Sequence, residues 1–276
     1  MDYVQATVLG VVEGLTEFLP VSSTGHLTIA EKLLGLDVAA ADVTAYTAVI
    51  QMGAIAAVVL YFRSDLWRIA RAWVGGLANG RRRHGPDYRT GWYVVAGSVP
   101  IGLVGLLAKG LVSGPLRTLW VVAVALIAWS AVMVLAENRG SQVRGGDDVR
   151  LRDAVMVGLT QCIALVPGVS RSGATISAGL LLGLDRVAAT RLSFFLSIPA
   201  LLAAGLFELK DAIGGGGIGV GPTVVGTVVS FVIAYATIAW LLRFVARHSI
   251  GAFVPYRVAL GVVLLALLGT GVIGAT

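Results

Sequence analysis

The sequence predicts an all-α polytopic membrane protein with six transmembrane helices and two re-entrant, broken-helix hairpins, arranged as an inverted-topology repeat. Three observations carry this reading. The 276 residues are 57% hydrophobic and only 13% charged, with a mean hydropathy of +0.87; that charge content is about half that of a soluble domain. Six stretches reach the roughly 20 apolar residues that a span needs, namely 43–62, 92–110, 117–136, 187–207, 221–243 and 253–274. Two further regions repeat each other. Glu13-Gly-Leu-Thr-Glu17 and Pro20-Val-Ser22-Ser23-Thr24-Gly25-His26 in the first correspond to Gly158-Leu-Thr160-Gln161 and Pro167-Gly-Val-Ser170-Arg171-Ser172-Gly173-Ala-Thr175 in the second. Each copy then runs on to Leu-Leu-Gly-Leu-Asp, at 33–37 and 181–185.

The repeated regions, 1–36 and 151–184, are split by proline, glycine and hydroxyl residues, so each half is too short to cross. A hairpin that enters the bilayer and returns fits both, provided its irregular turn is buried in protein or faces a wet cavity. Charge supports this choice. Seven arginines lie in 63–91, four in 137–152, and Arg243, Arg247 and Arg257 in 243–257, so all three connections belong in the cytoplasm by the positive-inside rule. Two spans separate the second from the third, which requires 151–184 to return to its own side. The nearly neutral stretch 208–220, Glu-Leu-Lys-Asp and a glycine run, reads as the external loop between them. The seven-arginine connection follows the first full span of repeat one, whereas the equivalent place in repeat two holds only Lys210. Corresponding loops therefore face opposite sides, as in an inverted repeat. The chain is thus one membrane domain, 1–276, made of repeats at about 1–140 and 150–276. Ser23 and Ser170 are expected to approach each other from opposite leaflets.

Composition also excludes some functions. The net charge of +6 sits in loops and reports orientation rather than nucleic-acid binding. One cysteine, Cys162, and three histidines leave no disulfide and no His/Cys metal cluster; the thiol reads as a buried, inert small residue. The amino terminus lacks a basic n-region, and Glu13 and Glu17 interrupt its apolar run, so no cleavable signal peptide is expected.

Ionisable residues at membrane depth are costly, and a site is the default reading. Glu13 and Glu17, at i and i+4, share one helical face about a turn apart. A divalent cation, Mg²⁺ or Ca²⁺, held with phosphate oxygens would relieve their repulsion; a metal-free pair facing an aqueous vestibule is the alternative. Pro20 ends the first half-helix, and Ser22, Ser23 and Thr24 are natural N-caps for the second, with capping as the plain role of Thr24. Helix N-termini also offer free N–H groups to anions. In repeat two Ser170, Ser172 and Thr175 supply hydroxyls, and Arg171 needs an anionic partner, either Glu17 across the repeat or a phosphate gripped bidentately. His26, three residues beyond Ser23, is a possible acid, base or nucleophile. His84 and His248 read as surface residues, and Asp147, Asp148 and Asp153 as parts of a solvated loop.

With these motifs, the chain resembles the undecaprenyl pyrophosphate phosphatases of the bacitracin-resistance type, and the similarity covers essentially its whole length. The resemblance implies removal of the terminal phosphate from a polyprenyl pyrophosphate lipid, which recycles the carrier for peptidoglycan and other wall polymers. It also implies a place in the bacterial cytoplasmic membrane among lipid partners, a site open to the periplasmic or external side, and dependence on a divalent cation. In that reading Ser23 attacks phosphorus, Glu17 or His26 is the base, and Arg171 with the cation holds the developing charge; attack by His26 or by water is the rival. Ser22, Thr24, Ser170, Ser172 and Thr175 would bind substrate, Glu13 and Glu17 the metal. A homodimer is an open option. Inverted repeats with broken helices also build transporters, so movement of a lipid or anion without chemistry is the second class of function.

Overall fold

A computed structural model describes residues 1–38, 40–83, 85–112, 116, 118–213 and 219–274. Among these the chain is helical throughout: α1 (Tyr3–Thr16), α2 (Ser23–Leu33), α3 (Ala41–Tyr61), α4 (Arg63–Ala78), α5 (Pro86–Leu107), α6 (Lys109–Val112), α7 (Leu119–Arg139), α8 (Leu151–Ile163), α9 (Arg171–Leu181), α10 (Arg186–Ile213), α11 (Val220–Val245) and α12 (Val254–Gly269). Six helical stretches are long and apolar enough to cross a membrane: Ala41–Tyr61, Pro86–Leu107, Leu119–Arg139, Arg186–Gly205, Val220–Val245 and Ile250–Gly269. They match the six expected spans with ends shifted by a few residues. This is a multi-pass membrane protein, and large apolar side chains such as Val95, Val99, Leu103, Val224 and Val228 point outward from the spans, where lipid replaces water.

The two repeated regions fold alike. The pairs α1–α2 and α8–α9 are made of helices of 14, 11, 13 and 11 residues, each well short of the roughly 20 that cross a bilayer. Asp2 and Gln5 cap α1 reciprocally, the Gln5 N–H donating to Asp2 Oδ1 at 2.8 Å and the Asp2 N–H to Gln5 Oε1 at 2.9 Å. The repeated Leu-Leu-Gly-Leu-Asp is a helix stop. Gly35 and Gly183 take φ of 71° and 88°; the N–H of Leu36 reaches Glu31 O at 2.9 Å and that of Leu184 reaches Gly179 O at 3.0 Å, which is the Schellman pattern that favours glycine.

Each pair doubles back on itself. Gln5 Nε2 donates to Leu34 O at 3.2 Å, joining the start of α1 to the end of α2. Arg144 does the same for the second pair, donating to Asp153 at the start of α8 and to Leu182 O at the end of α9. The helices then cross between repeats: α1 lies against α11, and α8 against α5. Backbone contact demands small residues there. A Cβ on Gly10 would stand 2.5 Å from Gly226 O, one on Gly14 2.7 Å from Ser230 O, and one on Gly158 2.0 Å from Gly97 O.

Several expectations change. The arginine-rich connection 63–91 contains the amphipathic α4, with Trp67 and Val74 exposed. The stretch 208–220 is not loop throughout, since α10 continues to Ile213; residues 214–218 and His84 lie outside the described residues. Arg257 is not a loop charge but a fully buried member of α12. Asp153 is buried against Arg144, and Cys162 is only partly buried. His248 is at the surface as expected.

The α8–α5 contact gives a stability test. Gly158→Ala must push backbone from backbone and is expected to cost roughly 1–3 kcal/mol, read as a lower melting temperature in detergent. Gly102→Ala, on the same α5 but with nothing within 4 Å of its Cβ position, should be neutral or slightly stabilising, because alanine is the better helix former.

Candidate functional site

The prolines and hydroxyls that break the two helical pairs build a pair of facing turns. At the entry to α2 and α9 stand Ser22 and Ser170, with φ of 78° and 75°. Non-glycine residues rarely take that conformation, which costs of order 1–3 kcal/mol unless the surroundings impose it. Both are N-caps: Ser22 Oγ accepts from Gly25 N at 3.4 Å and Ser170 Oγ from Gly173 N at 3.1 Å. The cap of α2 is therefore Ser22, while Thr24 is exposed.

The turns also bind each other. Gly168 N–H donates to Ser22 Oγ at 3.1 Å, and Ser172 Oγ donates to Leu19 O at 2.9 Å. Arg257 fastens the junction: Nη1 donates to Pro20 O at 2.9 Å, Nη2 to Gly168 O at 2.9 Å and Val169 O at 3.1 Å, and Nε to Ser130 Oγ at 3.1 Å. The two repeats thus meet, as expected, at their breaks, though through Ser22 and Ser172 rather than through a Ser23–Ser170 contact. Thr175 is fully buried and engaged with Arg171 O at 2.8 Å and Ser193 Oγ at 2.6 Å.

The open chemistry gathers on Glu17. Its Oε2 accepts from Ser23 Oγ at 2.6 Å and its Oε1 from Arg171 Nη2 at 2.8 Å. Ser23 and Arg171 are the first residues of α2 and α9, so both lie at helix N-termini where N–H groups precede the first intrahelical bonds. The Nη1 of Arg171 has no hydrogen-bond partner. Glu13, 0% exposed, lies one turn back within electrostatic reach of Glu17 and Arg171, and neither of its carboxylate oxygens has a partner. Gln161, the counterpart of Glu17, is also fully buried with its amide unpartnered. No group of three or more His, Cys, Asp or Glu side chains able to hold a metal occurs among the described residues. Glu17 is committed to Ser23 and Arg171, so the uncommitted carboxylate is that of Glu13.

His26 does not reach Ser23. Its Nδ1 is 2.7 Å from Ser22 O, and its Nε2 is 2.6 Å from Tyr256 Oη. Neither Tyr256 nor Arg257 is apparent in sequence as part of a site. Arg257 falls among basic residues near a loop, and the only hint is that it already lies within the apolar run 253–274.

The chain is similar over its whole length to known proteins. A protein from Acidothermus cellulolyticus called undecaprenyl-diphosphatase is 58% identical over 275 residues, covering 100% of both chains. Proteins called undecaprenyl-diphosphatase 1 from Frankia alni and Streptomyces avermitilis are 60% and 59% identical, covering 98% of this chain and 98% and 97% of theirs. The family model described as bacitracin resistance protein BacA matches residues 6–263, and the chain belongs to that family.

Proposed function

We propose that this protein hydrolyses undecaprenyl pyrophosphate to undecaprenyl phosphate and inorganic phosphate, the activity for which its relatives are named, and so recycles a lipid carrier for cell-wall synthesis. The observation that carries the reading is the Ser23–Glu17–Arg171 chain of hydrogen bonds, at 2.6 and 2.8 Å. A transporter for an anion gains from the arginine and the helix-end amides, but has no use for a serine hydroxyl held on a carboxylate.

In this mechanism the terminal phosphate enters over the N-termini of α2 and α9. The free Nη1 of Arg171 takes one of its oxygens without breaking the pair with Glu17, and the first-turn amides of the two helices take others. Ser23 Oγ attacks phosphorus in line as Glu17 Oε2 receives its proton, and the bond to the bridging oxygen breaks. His26, as the imidazolium, gives its Nε2 proton to the departing prenyl phosphate. His26, now neutral, then takes a proton from the attacking water while Glu17 returns its proton to Ser23 Oγ as phosphate leaves, which restores both groups. Buried Ser22, Ser170, Ser172 and Thr175 hold the turns in shape, while Ser23, Thr24 and Arg171 meet the substrate. The orphaned Glu13 carboxylate suits a divalent cation completed by phosphate oxygens, and such an ion, when bound, supplies charge neutralisation to the diphosphate.

We also infer an inverted repeat with two re-entrant hairpins in the bacterial cytoplasmic membrane. The basic connections converge at one end of the bundle, where Glu137 accepts from Arg186 and from Ile250 N, and Asp65 from Arg191 at 2.7 Å. The open ends of α8–α9 lie there too, on Arg144. The open ends of α1–α2 lie at the far end of α12, where Lys32 Nζ donates to Gly274 O at 2.9 Å. The two hairpins thus enter from opposite sides, and the positive-inside rule makes the arginine end cytoplasmic. The active site faces the external side.

Ser23→Ala, Glu17→Ala and the double variant should fall to one common floor, at least about 10²-fold down in phosphate release, because nucleophile and base act as one unit. Arg171→Lys should be severely impaired as well, since an ammonium lacks the two-pronged guanidinium geometry. Near-normal turnover by Ser23→Ala beside an inactive His26→Ala would transfer the attack to histidine. Wild-type protein that frees no phosphate yet moves labelled lipid across liposomes would sink the phosphatase reading. Chelator should abolish activity, with Mg²⁺ or Ca²⁺ restoring it, and Glu13→Gln should weaken that restoration; full activity in chelator removes the cation. On a Cys162→Ser background, a cysteine at His248 should label from the cytoplasmic side and one at Gly274 from outside, and the reverse pattern overturns the orientation.

A further inference from the structure

Tyr256 is a polar group at this site to which the mechanism above gives no task. It sits on α12 immediately before Arg257, whose guanidinium is bonded to both turns, so its backbone is tied to the same junction as Ser23 and Arg171. Its hydroxyl is 2.6 Å from His26 Nε2, and the two rings stack at 18° with centroids 5.6 Å apart. The bond at the other ring nitrogen fixes one proton. Ser22 O can only accept, so Nδ1 carries a proton; in the imidazolium that the mechanism uses Nε2 carries the second and donates it to the tyrosine oxygen, whereas in the neutral ring Nε2 is the lone-pair nitrogen and accepts from the tyrosine O–H. Every proton that His26 gains or gives must therefore pass through the one atom that Tyr256 holds. At 51% exposure Tyr256 is also open on its outer side, so an arriving phosphate oxygen can take the place of its hydroxyl on Nε2.

We propose that Tyr256 is a positioning residue for His26: it fixes the plane of the imidazole and occupies Nε2 until the substrate's phosphate displaces it. This rests on the reading in which His26 serves the phosphatase reaction. The stack orients the ring, and the hydroxyl prevents Nε2 from turning to another partner in the resting protein. Tyr256→Phe keeps the stack and removes only the hydroxyl, whereas Tyr256→Leu removes both.

The test measures steady-state phosphate release from a prenyl pyrophosphate and the reactivity of His26 toward diethyl pyrocarbonate, mapped by mass spectrometry in the intact protein with His248 as internal reference. Y256F is expected to lower kcat by about tenfold with KM within about twofold, the size of a lost hydrogen bond to a group that becomes charged. Y256L should lower it further. Carbethoxylation at His26 should speed up several-fold in Y256F while that at His248 is unchanged, a site-specific change that a general loss of packing would not produce. Wild-type kcat in Y256F over an inactive His26→Ala overturns the inference alone, as does an unchanged rate of modification at His26. Wild-type turnover by His26→Ala overturns the role of the histidine and the inference with it.

Discussion

The arrangement depends on a single buried cation. Arg257 is 0% exposed and has no carboxylate partner among the described residues; its guanidinium is spent on the carbonyls of Pro20, Gly168, Val169 and Leu126 and on the hydroxyl of Ser130. Burying such a charge costs several kcal/mol, of order 3–5 when its partners are removed, and here the cost is offset by filling the donors of a group that cannot lose its proton. Three of the carbonyls it binds, those of Pro20, Gly168 and Val169, are freed where α1 and α8 stop short, and the fourth, Leu126 O, lies within α7. In a bilayer an unpaired carbonyl has no water to turn to. One arginine therefore satisfies both broken ends at once, and by doing so sets the distance between the two repeats.

That constraint explains the strained serines. With the turns pinned at Pro20 and Gly168, the chain must reverse within a few residues to start α2 and α9, and Ser22 and Ser170 take positive φ to do so. Glycine would adopt this angle more easily, but it could not cap. Serine accepts from the third residue of its helix and, in Ser22, from the opposite turn as well. The strain thus places Ser23 and Arg171 at first helical positions, facing one carboxylate.

Much of this is legible in the sequence for definite reasons. The spans are readable because lipid selects for uninterrupted apolar length, and the paired short helices because proline, glycine and serine interrupt that length twice in the same order. Glu13, Glu17, Ser23, His26 and Arg171 stand out as costly residues in apolar surroundings. The pairing of Arg171 with Glu17 was one of two partners open to it, and only coordinates decide between a protein carboxylate and a phosphate in the resting chain. Arg257 is hidden because its flank is basic: a charge in the first turn of a helix reads as part of the preceding connection until the helix is seen to begin before it. Tyr256 and Asp153 are missed for the related reason that their partners, His26 and Arg144, are distant in sequence or ambiguous in exposure.

The duplication also accounts for how one carboxylate can serve two masters. Ser23 and Arg171 occupy the same position of the two repeats, the first residue of the second half-helix, and the crossed packing brings those positions to opposite sides of Glu17. In the proposed mechanism one repeat then carries the nucleophile and the other the cation, with no insertion needed to place either. Symmetry is broken at the counterpart of Glu17, where Gln161 is neutral. An ionised carboxylate at that fully buried, unpartnered position would be an uncompensated charge, which the neutral amide avoids. The two halves fold by the same rules, and they differ at the residues where identical chemistry would have worked against itself.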